Sequence, residues 1–180
     1  MSQNGIRNLL RDNPIVPVVK IQSLDEVEPL ITALQNISIN CIEITLRTDC
    51  AIDAIKLAKK CSNKDFSVGV GTVVNTKQLA EVVDARVDFI VLPGLQKDLI
   101  SDLQDIDLPF LPGVVTPSEM MEALRLGWDT LKFFPANIAG GLGALKTYGQ
   151  VFSQIKFCPT GGITKENYSE YLDLENVISV

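Results

Sequence analysis

Two short apolar stretches carry charged residues that a buried strand tolerates only for a reason. In Cys41-Ile42-Glu43-Ile44-Thr45-Leu46-Arg47-Thr48, the two-residue period of a strand sets Glu43, Thr45 and Arg47 on one face and Ile42, Ile44 and Leu46 on the other. In Thr130-Leu131-Lys132-Phe133-Phe134-Pro135-Ala136, Lys132 shares a face with Thr130 and Phe134. If the aliphatic faces meet helices, Glu43 and Arg47 point into an interior or its mouth. An amine in such surroundings is costly to keep charged, and a neutral amine attacks ketones to form Schiff bases. A buried Lys, Glu and Arg fit imine chemistry in which the carboxylate handles protons. Plainer readings stand beside this one: an ion pair that only fixes the strand, or a lysine whose tip snorkels to water.

The chain contains no histidine. That excludes Ser-His-Asp and Cys-His nucleophile pairs, histidine bases and the common His-bearing zinc sites. Cys41, Cys50, Cys61 and Cys158 form no CxxC pair and read as reduced core side chains. Two glycine-rich segments end strand signals, Phe66-Ser67-Val68-Gly69-Val70-Gly71-Thr72 and Phe157-Cys158-Pro159-Thr160-Gly161-Gly162-Ile163-Thr164. The second, leading into a helix, is either a phosphate cradle or an ordinary tight turn. Neither is a Walker or dinucleotide fingerprint. A lysine with a phosphate turn would also suit a pyridoxal-phosphate protein.

The elements that must position these residues are short, β-branched runs. Strand candidates are residues 15–19, 41–46, 66–71, 88–92, 109–114, 130–134, 156–159 and 177–180, with helix-periodic segments between them. Thr116-Pro117-Ser118-Glu119 combines a capping box with Pro at the first helical position, Ser23 with Glu26 is a second candidate cap, and Gly127 is placed to stop a helix. Repeated βα units predict an α/β fold with a parallel sheet, either a closed (β/α)8 barrel or an open doubly wound sheet. Residues 6–12 predict a short amphipathic helix that plugs the barrel floor. One domain is expected over residues 1–180, ending inside the eighth strand without a last helix.

Composition bounds the rest. With 180 residues, 46% hydrophobic and 21% charged, the chain can bury one substantial core. No run approaches the ~20 apolar residues of a membrane helix, and Met1-Ser2-Gln3-Asn4-Gly5 does not open a signal peptide, so a cytoplasmic setting is expected. A net charge of −6 argues against a nucleic-acid or anionic-membrane partner.

The sequence resembles the 2-keto-3-deoxy-6-phosphogluconate (KDPG) and 4-hydroxy-2-oxoglutarate (KHG) aldolase family. The matching segments are Ile15-Val16-Pro17-Val18, Glu43-Ile44-Thr45-Leu46-Arg47-Thr48, Val68-Gly69-Val70-Gly71-Thr72-Val73, Pro93-Gly94, Pro112-Gly113-Val114, Lys132-Phe133-Phe134-Pro135-Ala136 and Phe157-Cys158-Pro159-Thr160-Gly161-Gly162-Ile163. The resemblance implies a homotrimeric class I aldolase on a (β/α)8 TIM barrel, working without metal or organic cofactor in the Entner–Doudoroff route. It implies Lys132 as the Schiff-base lysine and Glu43 as the general acid and base. Arg47 and Thr72 would hold the pyruvate carboxylate, with Pro93 lining that pocket. Thr160, Gly161 and Gly162 would bind the distal phosphate. Other outcomes are an aldolase for the galactonate-derived isomer, or an inactive barrel that only binds or assembles. Leu92 and Val70 depart from the family's usual Ser and Ala and would narrow the pocket. The family pattern also continues past residue 180, through a segment that completes the phosphate site and a closing helix. Without them, an apolar seam, reduced stability and weak selection for phosphate are expected.

Overall fold

In the computed structural model, which describes residues 2–180, strands and helices alternate: α1 Ser2–Asp12, β1 Val18–Val19, α2 Val27–Asn36, β2 Cys41–Thr45, α3 Ala51–Cys61, β3 Ser67–Gly71, α4 Thr76–Asp84, β4 Phe89–Val91, α5 Lys97–Asp105, β5 Phe110–Leu111, β6 Gly113–Val114, α6 Pro117–Arg125, β7 Thr130–Phe133, α7 Gly141–Val151, β8 Lys156–Pro159 and α8 Tyr168–Leu172. Met1, counted in the expected domain, lies outside the described residues. Every strand pairing is parallel, in the orders β1-β2-β3-β4-β5 and β6-β7-β8.

The two sheets are arcs of one ring. The expected fifth strand is interrupted at Pro112, which has no N–H to give to a ladder. Its first half bonds back to β4, with Leu92 N donating to Leu111 O at 3.0 Å. Its second half bonds forward, with Lys132 N donating to Pro112 O at 2.8 Å. The expected eighth strand, 177–180, forms a single ladder bridge, Val177 with Phe157, rather than a regular strand. It still closes the ring. Ile178 N donates to Phe157 O at 3.0 Å, while Val16 N donates to Val180 O at 2.8 Å and Val180 N to Pro14 O at 3.0 Å. The fold is a (β/α)8 barrel, and the open-sheet alternative is set aside.

Alternation along the strands sorts side chains into two environments. Ile42, Ile44, Val68, Val70, Ile90, Leu131 and Phe133 face outward into the core shared with the helices. Cys41, Phe89, Val91, Leu111 and Cys158 turn inward and meet Ile6 and Leu10 of α1. These two residues lie one helical turn apart and are fully buried, a gain of about 1.5–3 kcal/mol each. Gln3 and Arg7 fix the same helix across the strand starts: Gln3 Nε2 donates to Phe110 O, and Arg7 Nε to Thr130 Oγ1 at 2.9 Å. Helix α1 begins four residues before the expected start, because these polar contacts extend its docking beyond the apolar stripe.

Local signals account for several helix ends. Thr116 Oγ1 accepts from Glu119 N while Glu119 Oε2 accepts from Thr116 N, so the capping box forms, and Gly127 at φ 78° ends that segment. Ser23 makes no cap bond to the backbone; a 3-10 turn over Leu24–Glu26 intervenes and α2 starts at Val27. Cys41 and Cys158 are buried, but Cys50 and Cys61 are only partly so, at helix ends rather than in the core.

Candidate active site

The barrel interior brings Lys132 and Glu43 together from strands that are not neighbours. Lys132 Nζ stands 3.3 Å from Glu43 Oε1 and 3.4 Å from Oε2, and the two side chains are only 6% and 5% exposed. The ion pair left open in the sequence therefore exists, but Glu43 makes it with Lys132 and not with Arg47. The Phe134 ring lies 5.3 Å from Nζ, within range of a cation–π contact. Charge buried this deeply is stabilised only by such close partners.

Glycines make room for the pair. The alternation Val68-Gly69-Val70-Gly71 lies in β3, where a strand over residues 66–71 was expected. Its valines face the helices and its glycines face the interior. A Cβ at Gly71 would overlap the Glu43 carboxylate, and one at Gly69 would overlap the Phe89 ring. Side chains from adjoining strands fill the space that β3 leaves.

Arg47 lies just past the end of β2, exposed at the barrel mouth, and its Nε donates to Thr72 Oγ1 at 3.3 Å. Thr72 holds φ at 66°, a left-handed conformation that is strained for a β-branched residue. That turn is what aims its hydroxyl at Arg47. Pro93 is half-buried with its backbone against Gly113, where no side chain would fit.

A cavity of about 660 Å³ opens at the same end of the barrel. Arg47, Phe134, Thr160, Gly161, Gly162 and Lys165 are on its wall, with apolar surface from Ile15 to Val18 and Val180. Lys132, Glu43, Thr72 and Pro93 are not on that wall; the first two are buried, and Phe134 is both on the wall and in contact with the amine. Gly161 and Gly162 adopt φ of 97° and 77°. Their loop is braced by Asn167, whose Oδ1 accepts from Thr164 N at 2.7 Å and whose Nδ2 donates to Gly162 O at 3.0 Å.

Cys158 lies close enough to the pair to feel both charges. Burial pushes its thiol up to about 11, with Lys132 pulling the other way. Burial and the neighbouring Cys158 push Cys41 up to about 12. Both thiols stay protonated and inert near neutrality. Sequence reading missed Phe134 as a contact of the amine and Lys165 on the cavity wall. The first was legible in its shared face with Lys132; nothing in the spacing marked the second.

A model of the KDPG and KHG aldolase family matches residues 6–180. The chain is 40% identical over 178 residues to the KHG/KDPG aldolase of Escherichia coli K12, covering 99% of this chain and 83% of that protein. It is 41% identical over 178 residues to the 2-dehydro-3-deoxy-phosphogluconate aldolase of Dickeya dadantii, with the same coverage. Among solved structures, it superposes at a TM-score of 0.93 on KDPG aldolase from Legionella pneumophila, in which pyruvate was captured as a covalent carbinolamine; identity is 42%, over 97% of this chain and 84% of that one.

Proposed function

We propose, because this chain belongs to the KDPG and KHG aldolase family, that it is the carbon–carbon lyase that splits 2-dehydro-3-deoxy-6-phosphogluconate into pyruvate and glyceraldehyde 3-phosphate, and 4-hydroxy-2-oxoglutarate into pyruvate and glyoxylate. The observation that carries this reading is the buried Lys132–Glu43 contact behind a cavity whose mouth holds Arg47.

The chemistry follows from that arrangement. A proton passed from Lys132 to Glu43 frees the amine to attack the C2 ketone, and Glu43 returns that proton to the departing hydroxyl as the carbinolamine loses water and becomes the imine. Glu43, directly or through a water, then takes the C4 hydroxyl proton as the C3–C4 bond breaks. The aldehyde leaves, and the electron pair stays on the pyruvyl half as an enamine. Reprotonation at C3 and hydrolysis release pyruvate and restore Lys132. Arg47 presents a planar fork to the C1 carboxylate, with Thr72 steadying it and Pro93 bounding that end. Thr160, Gly161 and Gly162 receive the distal phosphate through backbone donors.

The reading extends to a single catalytic domain and a cytoplasmic homotrimer acting on small acids, which native mass measurement tests through a species of three chains. The mechanism is tested by incubating the protein with pyruvate and borohydride and mapping the adduct. One pyruvyl group on Lys132 is expected. A folded protein without an adduct, or with adducts scattered over surface lysines, would sink the Schiff-base assignment.

A further inference from the structure

Lys165 shares the wall of the 660 Å³ cavity with Arg47, and no carboxylate side chain stands on that wall. The chain as a whole is acidic, at −6, so a cavity carrying two cationic side chains and no acidic one runs against the charge of the protein. Among the described residues Lys165 enters no ion pair. It follows directly on the Thr160–Thr164 loop, which Asn167 braces through Gly162 and Thr164. Its backbone position is thereby fixed, while its ammonium group has no hydrogen-bond or ion-pair partner among the described residues. Arg47 is already engaged with Thr72 near the end where the ketone must lie. Lys165 lies beyond the glycine turn on the same wall.

We propose that Lys165 is a specificity-determining residue that selects substrates carrying a phosphate at the end remote from the ketone. The inference rests on the aldolase reading above and adds a residue to it. A compact ammonium on a flexible stem suits a dianion that approaches from solvent, whereas the glycine turn supplies only neutral backbone donors. The charge difference between a phosphate ester and a free hydroxyl is what Lys165 would sense. Its contribution is screened by salt because the side chain is exposed.

The test compares kcat/KM for 2-dehydro-3-deoxy-6-phosphogluconate with kcat/KM for its dephosphorylated counterpart, at low and at high salt. Lys165→Ala should lower that ratio about tenfold at low salt, the scale of one hydrogen bond to a charged group. The loss should shrink in high salt. Lys165→Arg should restore most of the ratio, and Lys165→Glu should lower it further than Ala. An unchanged ratio in Lys165→Ala, or an equal loss on both substrates, would overturn the proposal and leave the aldolase reading intact. A wild-type protein that forms no pyruvyl adduct on Lys132 would overturn both, and that result is read separately by mass.

Discussion

The Glu43 carboxylate occupies the volume that a side chain at Gly71 would need. The carboxylate and the glycine beside it on the neighbouring strand are thus one steric unit. Register fixes it: Glu43 pairs across the ladder with Gly69, and Gly71 with Thr45. Room for Lys132 to meet Glu43 is created by what β3 lacks.

Gly71→Ala should therefore displace Glu43 rather than simply crowd the barrel. A loss of about 1–3 kcal/mol in denaturant unfolding is expected from overpacking. Turnover should fall about a hundredfold, the effect of moving a reacting group by roughly an ångström. A variant with normal kcat would show that the carboxylate position is not critical.

Lys132→Ala should remove both the pyruvyl adduct and turnover. It also leaves Glu43 as a buried charge without its partner, which costs about 3–5 kcal/mol. Glu43→Gln should keep the borohydride-trapped adduct while slowing deuterium exchange at the pyruvate methyl. Mass spectrometry reads the first and proton NMR the second.

Thr72 sets strain against function. Replacing it with Gly releases a left-handed φ that costs about 1–2 kcal/mol, partly offset by the freer unfolded chain. Stability should stay level or rise by up to about 1 kcal/mol, while half-saturation of trapping moves to higher pyruvate because Arg47 loses its hydroxyl partner. Thr72→Ser, which keeps the hydroxyl, should bind pyruvate nearly as the wild type does.

Thiol labelling should divide the cysteines in two. Cys41 and Cys158, buried with thiols pushed up to about 12 and about 11, should resist iodoacetamide at pH 8 in the folded protein. Cys50 and Cys61, partly exposed, should label first. Peptide mapping over time separates the pairs, and early labelling of Cys158 would mean that the interior opens readily.

Glu119 should make the α6 cap pH-dependent. Burial pushes its carboxyl up, but the N–H groups of Thr116 and Val115 and the Thr116 hydroxyl outweigh that and hold it below the usual range. A folded-state value below the unfolded one gives stability that is present above about pH 4.3 and is lost as pH falls through the folded value. The wild type should exceed Glu119→Gln by under about 1 kcal/mol at neutral pH, with the gap closing in acid. A gap that widened in acid would contradict the cap.

Much of this site was legible because charge in an apolar strand has few explanations. Glu43 and Lys132 stood out against aliphatic neighbours, and period two gave their faces. Their direct pairing was not legible, since nothing in a sequence says which strands face each other across a closed ring. The strand over residues 66–71 was legible, and β3 spans Ser67–Gly71; what its alternation of valine and glycine did not say is that the glycines leave room for Glu43 and Phe89. Pro112 hid a break inside an apolar run. Residues 177–180 looked like a strand, and they hydrogen-bond on both sides without forming a full ladder.

The closure of the ring joins Pro14 and Val16 to Val180, and Asn13 O to Ser179 Oγ at 2.7 Å. During synthesis, then, the segment 13–16 ahead of β1 lacks these partners from the moment it emerges until residues 177–180 have left the ribosome. Few contacts in a protein of this size span a longer loop, so final closure should be a late and slow event. Through that interval the unpaired segment can pair with another nascent chain.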